Sequence, residues 1–134
     1  METANHEYYV SLEVAKQLKK AGFDWDGMSY YQNGIFYHYS INRGRIIIMN
    51  QNSAPNYMEQ YSAPTLDVAQ RWLRKTHHLH ITIFSSSQES WMFRITKLHE
   101  KLENGAYGED FYTYDEAQEA GIKKALELIL EKGE

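Results

Sequence analysis

Between Thr65 and Phe84 the chain changes its periodicity within a few residues. Leu66, Val68, Ala69, Trp72 and Leu73 recur at helical spacing, whereas Leu79, Ile81 and Ile83 alternate with His80 and Thr82. The first pattern is an apolar stripe along one side of a helix, and the second is one apolar face of a strand. Both are buried when the helix packs on the sheet that contains the strand. The helix start is well marked, since Pro64 precedes a Thr65 N-cap and Asp67 falls in the first turn. Arg71, Arg74 and Lys75 occupy its polar side.

The same alternation of periods recurs along the chain. Ser11 caps a helix that runs to Ala21 on Leu12, Val14, Ala15 and Leu18, with Gly22 as its C′ stop and Lys16, Lys19 and Lys20 on the other face. Those lysines meet the negative end of the helix dipole and read as a solvated face. In SYYQNGIFYHYS, Asn33-Gly34 between two aromatic and β-branched runs predicts a hairpin. Its second strand places Ile35, Tyr37 and Tyr39 on one face and Phe36 and His38 on the other. A strand at Arg45–Met49 follows the turn Asn42-Arg43-Gly44, so a three-strand meander is expected.

Asn50 to Pro64 holds both prolines and has neither period, so it reads as a long functional loop. After Leu79–Phe84, a second run at Ser90–Thr96 completes another hairpin, and Lys97 to Asp110 reads as loop. The last helix starts at Thr113, where Glu116 three residues on makes a capping box, and runs to about Glu131. Ala117, Gly121, Ala125, Leu128 and Ile129 share one face of it with Ile122 at the edge, and the small residues permit a close approach to a sheet. The expected fold is therefore α+β and a single domain over residues 1–134. It comprises an antiparallel or mixed sheet of four to five strands with three helices, in the order α-ββ(β)-α-ββ-α.

Composition narrows the chemistry. The chain has no cysteine, which excludes disulfides, thiol catalysis and cysteine-ligated metal centres. No Walker-type or dinucleotide-type glycine motif and no G-x-S-x-G elbow occurs. The start METANHEYYV shows no leader pattern and no apolar window reaches membrane-span length, so a cytoplasmic location and no membrane partner are expected. Charge is unevenly spread: residues 1–40 carry −2, residues 41–101 carry +4, and residues 102–134 carry −6.

Three stretches, SLEVAKQLKKAGF at Ser11–Phe23, YSAPTLDVAQRWLRKTHHLHI at Tyr61–Ile81, and EAQEAGIKKALELI at Glu116–Ile129, carry a resemblance. They resemble a family of small proteins encoded by gut-bacterial prophages, phages and other mobile elements, a family with no assigned activity. The resemblance implies origin and transfers no functional residue.

Three chemistries compete for the remaining residues. Eleven tyrosines are more than one small core can hide with satisfied hydroxyls, so some face solvent. Aromatic residues with arginine suit protein recognition, and the leading expectation is a non-catalytic module with a protein partner, acting around the hairpin and the Asn50–Pro64 loop. A homodimer pairing basic and acidic regions is compatible with the charge pattern. The alternative is nucleic-acid binding, with Arg43, Arg45, Arg71, Arg74 and Lys75 on phosphates and Tyr31, Tyr37 and Tyr39 stacking on bases. Third is a metal-dependent enzyme, in which His78 and His80 on one strand face would chelate an ion with a third ligand. No cofactor and no catalytic residue is expected. The acids Glu109, Asp110, Asp115, Glu116 and Glu119 read as complements to a helix dipole rather than ligands.

Overall fold

Ser11 and Gly22 delimit the first helix, α1 (Leu12–Lys20), as the sequence predicts. The Ser11 hydroxyl accepts from the Val14 amide at 3.3 Å. At the other end Gly22 adopts φ +98°, Gly22 N–H donates to Lys19 and Phe23 N–H donates to Leu18. This Schellman closure also brings buried Phe23 back toward buried Leu18. The computed structural model describes residues 8–38, 40–42, 45–87, 90–98 and 106–132. The chain divides into two compact units, Met1–Thr65 and Leu66–Glu134.

In the first unit α1 is followed by β1 (Tyr30–Gln32), β2 (Ile35–Tyr37), β3 (Ser40–Asn42), β4 (Arg45–Ile47) and β5 (Gln60–Ser62). Asn33 and Gly34 both have positive φ, the requirement of a two-residue hairpin loop, and they join β1 to β2 in the expected register, with Tyr31 opposite Phe36. The expected meander does not form. β1 takes β5 as its second neighbour, giving an antiparallel sheet β2-β1-β5, while β3 and β4 form a separate two-stranded sheet among the described residues. Beyond β4, Met49 makes a separate bridge to Gly27, with both backbone hydrogen bonds present.

The Asn50–Pro64 segment is the reason for the altered topology. Instead of an irregular loop it contains two short 3-10 turns, Gln51–Ser53 and Asn56–Met58, and then β5. Side-chain amides lock it in place. Gln60 Nε2 donates to Gln51 Oε1 at 2.6 Å, and Gln51 Nε2 donates to the Gly27 carbonyl. Asn52 donates to the Phe23 carbonyl and accepts from the Ser62 amide. Gln51 is only 2% exposed, so its amide is held by hydrogen bonds rather than by water.

The second unit has α2 (Leu66–His77), β6 (Leu79–Ser87), β7 (Ser90–Lys97), β8 (Ala106–Phe111) and α3 (Tyr114–Lys132). Its sheet is β6-β7-β8, antiparallel throughout, so among the described residues three smaller sheets stand in place of the expected single sheet of four to five strands. β8 arises in the stretch read as loop. It escapes sequence reading because Gly108 interrupts it and Asp110 at φ +70° lies at a register shift, so it lacks a clean alternation. Both helices pack on the sheet and on each other. Leu66, Ala69, Trp72 and Leu73 of α2, Leu79 and Ile81 of β6, and Phe93 and Ile95 of β7 are buried.

The core face of α3 is Ala117, Gly121, Ile122, Ala125 and Leu126, whereas Leu128 and Ile129 are half-buried, one position off the expected stripe. Thr113 Oγ1 accepts from the Glu116 amide at 3.0 Å, and Glu116 Oε1 reaches the Tyr112 amide at 3.1 Å, one residue before the box position. None of the helices among the described residues is long and apolar enough to cross a membrane.

Two substitutions test this packing. A Cβ at Gly121 would lie 2.8 Å from Ile81 Cγ2 and 3.2 Å from Phe93 Cγ. Gly121→Val should lower unfolding free energy by about 2 kcal/mol in urea titration, because overpacking outweighs the gain in helix propensity. Gln51→Ala removes the partner of Gln60 and of the Gly27 carbonyl, and should cost about 2–3 kcal/mol by the same measurement.

Candidate partner-binding groove

The polar side of α1 contributes Glu13, Lys16, Gln17 and Lys20 at spacings of three and four residues, with Lys19 beside them. Across from it, Glu59 at φ +50° turns the chain out of the second 3-10 turn and into β5. Tyr61 then sits opposite Tyr31, and its ring faces the lysines rather than the Gln51 network. Together with Asn56 these residues line a groove of about 530 Å³.

Electrostatics in the groove are unusual for a surface helix. The Lys19 ammonium donates to the Gln60 carbonyl at 3.1 Å and lies 5.1 Å from the Tyr61 ring centroid. The Lys16 ammonium lies 5.8 Å from the same centroid, so both engage one ring through cation–π attraction. Lys16 and Lys20 are exposed and one helical turn apart. None of the three lysines has an ion-pair partner among the described residues. Gln17 is also among the lining residues, while its Oε1 is shut off from solvent and has no hydrogen-bond donor among the described residues.

Other expected site residues lie elsewhere. Tyr31 is a correction: it is 8% exposed and its hydroxyl donates to the Val10 carbonyl at 2.8 Å, so it is a core residue and offers no stacking face. Tyr37 is exposed on β2 beside exposed Ile35 and stacks on Tyr30 with centroids 5.2 Å apart. Tyr39 and Arg43 lie outside the described residues, and Arg45 pairs with Asn42 at the start of β4. Arg71 and Lys75 are exposed and Arg74 half-buried on α2, in the second unit. The sheet of that unit also exposes Thr82, Arg94, Thr96 and Tyr107, with the Arg94 guanidinium 5.2 Å over the Phe84 ring.

His78 is not a strand residue. It takes φ +60° between α2 and β6, so the extended spacing on which joint chelation with His80 depends is not formed. Among the described residues no group of three or more His, Asp or Glu side chains is placed to hold a metal ion. A Ser–His contact does exist, since His38 Nδ1 lies 3.3 Å from Ser29 Oγ and 3.2 Å from the Tyr9 hydroxyl. The Ser29 hydroxyl, however, donates to the His38 carbonyl at 2.7 Å and the residue is buried, so the contact fixes a turn rather than activating a nucleophile. Compared with protein-family models, curated proteins and solved structures, the chain gives no significant match.

Sequence reading found the three lysines and treated them as a solvated face. It missed Tyr61 and Asn56, because nothing local to residues 50–64 announces that they return to α1. A test of the turn geometry follows from His78. In a left-handed conformation glycine is free of the Cβ penalty, so His78→Gly should raise stability by about 0.5–1 kcal/mol in thermal or urea unfolding. A ligand role for His78 in folding would instead give a loss.

Proposed function

We propose that the chain is a non-catalytic binding module of phage or mobile-element origin, acting in the cytoplasm, that engages a protein partner through the α1 groove. One observation carries the reading: Lys16 and Lys19 engage the Tyr61 ring and Lys20 lines the same groove beside Glu13, with no ion pair to any of the three lysines among the described residues. Like charges one helical turn apart cost a few tenths of a kcal/mol, roughly what an opposite-charge pair there would contribute. A concave, aromatic-based and positively charged surface offsets that cost when an anionic partner arrives, and tyrosine at its centre is an interface anchor. The three resembling stretches support the origin. A second reading, nucleic-acid binding, is favoured by exposed Arg71 and Lys75 one turn apart on α2.

Tyr57 follows Asn56 at the groove wall and is 85% exposed, so a photo-crosslinking residue placed there reports on whatever occupies the site. In cells carrying the gene, irradiation should yield a protein adduct sensitive to protease and insensitive to nuclease. Lys16→Glu with Lys20→Glu should abolish it. Adducts removed by nuclease would favour the second reading, and a protein adduct unchanged by charge reversal would remove the groove from the proposal.

A further inference from the structure

An antiparallel sheet commonly packs one face and solvates the other, and the solvated face then carries polar residues. The β6-β7-β8 sheet departs from that pattern. Its helix side buries Ile81, Phe93 and Ile95. On the outer side, cross-strand register sets Thr82, Arg94 and Tyr107 in one row and Phe84 with Met92 in the next. Gly108 faces Phe93 on the helix side, so alternation turns Glu109 outward at the level of Met92, ahead of the register shift at Asp110. Arg94 on the central strand is exposed and Tyr107 is 62% exposed, so the middle of this face is open, with half-buried Phe84 and Met92 along its side.

The charges on the face select its occupant. Arg94 and Glu109 hold diagonal positions but form no ion pair with each other among the described residues. The guanidinium instead lies over the Phe84 ring, toward β6 and away from β8. Stacked there, it keeps the N–H groups of its edge available to an incoming carboxylate. A polyanion on this face meets Glu109 and exposed Asp110 beside it, and a polycation meets Arg94. A second copy of the same face meets neither conflict. Turned about a two-fold axis, it places its Glu109 on Arg94 and its Arg94 on Glu109, because each contact across such an axis occurs twice. Met92 and Tyr107 hold the other diagonal, between the two charges, so the same rotation sets each against its own counterpart. His80 lies opposite Thr96 at the far end of the face, outside this square.

We infer that the outer face of β6-β7-β8 is a self-association surface, joining two copies of the chain through reciprocal Arg94–Glu109 pairs around Met92 and Tyr107. The surface is independent of the α1 groove and of what that groove binds. A face of three strands falls short of the about 800 Å² per partner of a standard interface, so a reversible, concentration-dependent dimer is expected. Sedimentation velocity on the full chain, from low micromolar to submillimolar concentration, should show the passage from monomer to dimer, weakened as salt rises. Arg94→Glu and Glu109→Arg should each weaken association at least about a hundredfold, because each reversal creates two like-charge contacts. Both positions are exposed, so the thermal midpoints of the variants should stay close to that of the parent chain.

Mixed in equal amounts, the two variants should associate with each other, since one then carries carboxylates at both positions and the other guanidinium groups at both. A parent chain that stays monomeric throughout the range, single variants that dimerise as the parent does, or variants that remain apart on mixing would each overturn the inference. Lys16→Glu with Lys20→Glu should leave the dimer unchanged, and its loss there would overturn the inference by moving the interface to α1.

Discussion

A three-stranded sheet has two edges, and each edge presents backbone groups that must find partners. At the β5 edge of one sheet and the β6 edge of the other, side-chain amides and one lysine take up several of them. Glu59 and Ala63 bond across to Asn33 and Ser29, the residues flanking β1, so the alternation of an antiparallel ladder turns the backbone groups of Gln60 and Ser62 outward. The Ser62 amide is taken by Asn52 Oδ1 and the Gln60 carbonyl by the Lys19 ammonium. In the second unit, Leu98 bonds to His78 across β6 and β7, which turns the backbone groups of Ile81 to the sheet edge, and its carbonyl accepts from Gln70 Nε2 at 2.7 Å. Gln118 from α3 then donates to Gln70 Oε1 and to Asp67 Oδ1. Backbone groups taken up in this way are withdrawn from pairing with another chain.

Edge closure also determines where the candidate site lies. Lys19 is drawn to Gln60, and the same placement sets Tyr61 under the ammonium groups of α1. The groove is thus a by-product of how β5 is sealed: one lysine is spent structurally, and its neighbours Lys16 and Lys20 remain exposed. A structural contact that holds one cation on an aromatic ring preorganises the others around it, which lowers the ordering cost of binding.

The second unit achieves closeness by another route. Gly121 admits Ile81 and Phe93 against the axis of α3, and Gly108 lies across the ladder from Phe93, where a Cβ would collide with ring carbon Cε2. Phe93 therefore fills the space that two glycines vacate, one on the helix and one on the neighbouring strand. The absence of side chains at both positions is compensated by one ring, which keeps interior density near that of an organic crystal.

Local chemistry determined much of this by itself. Ser11, Gly22, Thr113 and the Asn33-Gly34 loop act over one to four residues, so their caps and turn are readable without a fold. The period change from α2 to β6 is likewise local, and so is the small-residue face of α3. Tertiary structure decided what local pattern leaves open: that β1 pairs with β5 rather than with a third consecutive strand, that Tyr31 is interior and Tyr61 lines a groove, and that Gln51 is buried in an amide clasp with Gln60 and Asn52 beside it. The physical reason is the same in each case. Strand partnership and burial depend on hydrogen-bond partners far away in sequence, and a run of Asn, Gln and Ser reads identically whether its amides face water or the edge of a sheet.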